Sequence, residues 1–94
     1  PADMLVMATG YQPLQEAVRT MFGSEVAERV GPIWGIGPDG EMRNMWVRTR
    51  QEGFYVAGGT LTMCRFYSHV TALLIKAALE DLITPDAGTP EARQ

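Results

Sequence analysis

The chain has 94 residues, 46% of them hydrophobic and 20% charged, which suits one small folded unit and excludes a disordered segment. Eight basic residues against eleven acidic ones leave a net charge of −3, the wrong balance for a nucleic-acid binder. The single cysteine, Cys64, rules out an internal disulfide framework and fits a reducing, cytoplasmic setting, and no apolar run approaches the roughly 20 residues of a membrane span.

The chain opens on Asp3-Met4-Leu5-Val6-Met7-Ala8-Thr9-Gly10, an apolar run closed by a turn glycine. Such a run predicts a strand buried on both faces, as in a parallel sheet. A strand of that kind needs neighbours on both sides and none precedes it, so the chain is expected to be part of a longer protein. Pro13 then suits the first position of a helix. Leu14, Ala17, Val18, Met21 and Phe22 follow at helical spacing, and Gly23 stops the run. Ser24 can cap a second, short helix through about Val30, ended by Gly31-Pro32.

Ile33 to Ile36 and Glu41 to Arg43 flank Gly37-Pro38-Asp39-Gly40, which predicts a short hairpin. Residues 44–53 are polar, with Trp46 and Val47 as anchors, and predict an irregular surface segment. Phe54-Tyr55-Val56-Ala57 is expected as a second short buried strand, closed by Gly58-Gly59. A loop over 60–67 would lead to Ser68, capping a helix that runs apolar on most sides to Ile83. Pro85 ends it, and 85–94 is expected as a tail. The fold expected is therefore α/β, with short strands, a hairpin and a long last helix.

The strongest local arrangement is strand, paired glycine, then helix. Glycines let a backbone approach a ligand closely, and a helix N-terminus favours anions and electron-rich carbonyls. Ligands of open α/β sheets lie beyond the carboxyl ends of the strands. Together these rules place a polar cofactor against Gly58, Gly59, Thr60 and the start of the helix. The competing explanation is a tight turn required by packing alone. Ala8-Thr9-Gly10 offers a second strand end of the same kind.

No catalytic set is visible and no metal site is expected. His69 is the only histidine and Cys64 has no CxxC partner. Arg65 beside two aromatic residues can clamp an anion bidentately or form a surface ion pair. The six methionines fall mostly at apolar positions and are expected as core filler.

These segments resemble the flavin-containing monooxygenases and their Baeyer–Villiger and indole-pyruvate relatives. Met4 to Tyr11 is similar to the family's "ATGY" signature, and Gln51 to Gly59 resembles its late "GLYxxG" strand. Residues 68–83 resemble the closing helix against the flavin. The resemblance implies the C-terminal part of an FAD-binding domain over 1–84, in a Rossmann-like flavoprotein with two dinucleotide-binding domains. It implies FAD reduced by NADPH and an oxygen atom inserted into a small organic substrate. Thr9 and Gly10 would lie near the FAD edge. Gly58, Gly59 and Thr60 would approach its ribityl and ring region, with Ser68, His69 and Val70 at the adjoining helix start.

Related flavoproteins often carry Gly-Asp where Gly59 stands, so a carboxylate contact to the ribityl chain is missing. No GxGxxG stands between an expected strand and an expected helix, so neither the FAD-ADP site nor the NADPH site can be built from these residues. The chain alone is expected to be inactive and to associate with itself. The rival expectations are the tail of a reductase-type flavoprotein and a stand-alone dimerising module.

Overall fold

The computed structural model describes residues 1–88. It contains three helices: α1 (Leu14–Phe22), α2 (Ser24–Val30) and α3 (Leu61–Leu79). α1 and α2 form a hairpin through Gly23, whose φ of 95° lets its amide close on the Arg19 carbonyl. Their inward faces bury Val18, Ala27 and Val30. Gln15 donates across the hairpin to the Ala27 carbonyl at 3.0 Å, and Arg19 on the outside pairs with Glu28 at 3.0 Å. The hydrogen bond to Glu28, and then the charge of Glu16, hold the Arg19 guanidinium above its usual pKa.

The expected α/β fold is not formed. Among the described residues there is no strand, only an isolated antiparallel bridge between Ile36 and Met42. That bridge belongs to the expected hairpin, with the Trp34 amide donating to the Arg43 carbonyl, the Arg43 amide to the Gly35 carbonyl, and Gly40 closing the turn onto Gly37. The expected strand over 4–8 is instead exposed chain, with Met4, Leu5, Val6 and Met7 each 73–80% accessible. Residues 54–57 are likewise outside any ladder. A strand exists only through pairing, and high apolar content does not supply the paired backbone. With no sheet, the Rossmann-like, dinucleotide-binding architecture is not present in these residues.

Residues 44–53, expected on the surface, instead supply the centre of the core. Met45 and Trp46 are buried beside Val18, Ala27, Val30 and Ile33, and Thr49 is fully buried. Trp46 donates its amide to the Val56 carbonyl, accepts from the Thr71 hydroxyl at 2.7 Å, and stacks on Tyr67 at 6.3 Å. One residue thus joins the loop to α3. Asn44 donates to the carbonyls of Val30 and Pro32, so it satisfies the end of α2.

The last helix starts earlier than expected. Thr60, extended at φ −75° and ψ 160°, accepts the Met63 amide through its hydroxyl and caps α3. No Gly or Pro interrupts 61–67, so Cys64 and Arg65 are helical rather than in a loop. Ser68 is an interior residue whose hydroxyl bonds back to the Arg65 carbonyl. At the other end Asp81 takes φ 57°, with Asp81 and Leu82 donating to Ala78 and Ala77. That is a Schellman closure, and it stops the helix at Leu79 instead of Ile83. Replacing Thr60 by Ala should cost about 1 kcal/mol, read from the urea midpoint, while Ser68→Ala should leave it within about 0.5 kcal/mol. The reverse order would return the helix start to Ser68.

Beyond α3, Arg48 donates to the carbonyls of Thr84 and Asp86 and to the Thr84 hydroxyl, and Ala87 donates to the Thr49 carbonyl. The first part of the expected tail is therefore fastened to the core. Its remainder, 89–94, lies outside the described residues.

Candidate functional site

A cleft of about 650 Å³ opens between the entrance to α1, the Trp34 turn and the segment that leads into α3. Residues 11–14, Ile33, Trp34, Met45 and residues 56–59 line it. Tyr11 is fully exposed at the rim and Trp34 is 43% exposed. The lining offers two aromatic rings, apolar side chains, the Gln12 amide and a glycine edge. Such a lining suits a largely apolar or aromatic ligand.

Two of the glycines expected to approach a cofactor, Gly58 and Gly59, do border this cleft. Thr9 and Gly10 lie in the exposed segment just before Tyr11, with Gly10 at φ 80°. Thr60 follows directly, but its hydroxyl is committed to capping α3. Ser68, His69 and Val70 are not at the helix start. They follow Leu61 by seven to nine residues, about 10–13 Å along the axis. All three are on the exposed side of α3, remote from its first turn.

The two glycines differ in what they need. Gly59 has φ 98°, and a Cβ there would stand 3.0 Å from the Met63 sulfur and 3.2 Å from the Trp34 ring. Its left-handed backbone, with Met63 and Trp34 close by, favours glycine for the protein's own fold. Gly58 has no such conflict, since a Cβ would lie 3.4 Å from the Met45 methyl. Gly58 is the position where a ligand's approach can be tested without disturbing the fold.

Trp34, Met45 and Gln12 were not legible as cleft residues. Trp34 reaches the cleft because its backbone takes φ 74°, followed by Gly35 at φ 78°. The Trp-Gly pair was the available signal.

A second cleft, of about 670 Å³, lies between the hairpin over 37–44, Leu74 of α3 and the segment over 84–88. Its carboxylates and guanidiniums are mixed, and Arg48 Nη1 is committed to the chain end. The first cleft is the better ligand site. Among the described residues no group of three or more His, Cys, Asp or Glu side chains can hold a metal ion. Nor, among the described residues, is any helix long and apolar enough to cross a membrane. No protein-family model matches the sequence, and no curated protein is significantly similar to it.

Proposed function

We propose that this chain is the segment that closes the FAD site of a flavin- and NADPH-dependent monooxygenase acting on a small organic molecule in the cytoplasm. The observation that carries the reading is the meeting of two distant motifs. Tyr11, from the Ala8-Thr9-Gly10-Tyr11 signature, and the Gly58-Gly59 pair border one cleft that Trp34 also lines. The exposed Met4–Met7 run supports the same reading, because four adjacent large apolar side chains call for cover from the rest of a larger protein. The tyrosine of the signature, and glycine rather than aspartate at 59, favour an oxygenase over a reductase. In this role the chain binds and orients the flavin. The residues that hold the nucleotide ends and the substrate belong to the rest of the enzyme.

Gly58→Ala in the full-length parent tests this. The added methyl meets only ordinary contact with Met45, so folding is expected to be unaffected. FAD binding should weaken about tenfold, equal to about 1.4 kcal/mol, through the lost close approach. The flavin-to-protein absorbance ratio and a flavin titration report it. Unchanged affinity in folded protein would reject the placement of the flavin at this glycine edge.

A further inference from the structure

We propose, independently of the flavin reading of the full-length parent, that two copies of the 94-residue chain by itself exchange their first segments. The Met4–Met7 run of each copy enters the cleft at Gly58 of the other and adds there as a strand. The chain exposes 7490 Å², whereas a compact monomer of its 10.3 kDa mass exposes about 5,400 Å². The surplus belongs to the start of the chain, where every residue from 1 to 14 is exposed and Met4, Leu5, Val6 and Met7 are each 73–80% accessible. It exceeds the roughly 800 Å² that each partner contributes to a standard interface.

The cleft supplies the other half of a strand pair. The Phe54 carbonyl takes the Thr49 hydroxyl and the Val56 carbonyl takes the Trp46 amide, so alternate residues of this segment bond toward the core loop. Successive carbonyls of an extended chain point to opposite sides, which turns the backbone groups of Tyr55 and Ala57 away from Trp46. Those groups have no hydrogen-bond partner among the described residues, and neither do the backbone groups of residues 4–8. Val56 and Ala57 line the cleft, and no charged side chain does. Two open backbone edges and two apolar surfaces therefore match, as they do when an extended peptide joins the edge of a sheet. The run does not fill the cleft of its own chain, since it stays exposed beyond Tyr11 at the rim. Gly10, at φ 80° with open space around it, is the hinge between the run and that cleft. Each copy carries one run and one cleft, so a two-fold exchange fills both at once. α3 also exposes Phe66 and Leu73, but its backbone is already paired within the helix and has no edge to offer.

Light scattering at micromolar concentration should return twice the 10.3 kDa chain mass. Leu5→Glu should return the mass of one chain, with helical circular dichroism retained because position 5 is exposed. The placement is read from Val6→Cys and Ala57→Cys combined in one chain on a Cys64→Ala background. Oxidation should give a covalent dimer on a denaturing, non-reducing gel. A disulfide-closed single chain would put the run in its own cleft, and no disulfide would put it in neither; each result overturns the proposal. So would a monomeric unmodified chain, or association that survives Leu5→Glu and is lost in Leu73→Glu, which would assign the contact to α3.

Discussion

Replacing Trp46 by alanine is expected to abolish the cooperative fold of the chain. The side chain is 4% exposed and lies among Val18, Ala27, Val30, Ile33 and Met45. Truncating a buried tryptophan costs about 3–5 kcal/mol, which rivals the whole stability of a domain this small. The loss also reaches α3, since the stack of Trp46 on Tyr67 is one of the contacts that holds that helix to the core. Trp46→Phe serves as the control. Among the described residues the Trp46 indole N–H is buried without a hydrogen-bond partner, a condition that costs about 1–3 kcal/mol. Phenylalanine keeps most of the ring and removes that donor, so its net cost should stay below about 1.5 kcal/mol. Urea unfolding followed by tryptophan fluorescence of Trp34 and by circular dichroism separates the two. Cooperative unfolding of Trp46→Ala near the parent midpoint would move the centre of the core elsewhere.

The importance of Trp46 was only half legible. It was expected as an anchor, but in a segment of arginines, Asn44, Thr49, Gln51 and Glu52 that implied a surface position. The backbone resolves the conflict. Asn44 and Trp46 take φ 54° and 64°, so the chain turns sharply enough to bury Met45 and Trp46 while Arg48 and Arg50 flank them. Positive φ in non-glycine residues leaves no composition signal. Thr49 buries by a local route, its hydroxyl lying within hydrogen-bonding reach of the Gln51 and Phe54 carbonyls. Neither contact is visible in hydrophobic periodicity.

The first two helices were legible because each is bounded by glycine and carries its apolar residues at helical spacing. α3 was legible in kind and misplaced in start, because both Thr60 and Ser68 are good caps and the helix is apolar enough that periodicity does not choose. Thr60 wins by following Gly59, whose left-handed backbone turns the chain into the helix. The strands were misread for a different reason. An apolar run records that burial is available to a segment, and pairing depends on a second segment that periodicity cannot name. In the site, the glycine pair was legible by type, whereas the meeting of Tyr11, Trp34 and Gly58 depends on three separate turns.

The chain alone, supplied with FAD and NADPH, is expected to oxidise NADPH no faster than FAD does in buffer. Hydride transfer requires nicotinamide and flavin held face to face, and that positioning accounts for much of the acceleration such enzymes achieve. The cleft at Gly58 is lined by Tyr11, Trp34 and apolar side chains and carries no charged group to hold a phosphate. The GxGxxG spacing of Gly35 to Gly40 lies in a hairpin turn and not between a strand and a helix, so it does not form the phosphate loop that anchors a dinucleotide. In the first turn of α3 the Met63 amide is already taken by the Thr60 hydroxyl. Mixing the chain with FAD should therefore leave the NADPH absorbance decay at the rate of the flavin-only control. The Gly58→Ala variant should leave it there as well. A rate several times above the control, lost on Gly58→Ala, would mean that these 94 residues assemble a working flavin site by themselves, and would overturn the proposal that they serve as the closing segment of a larger enzyme.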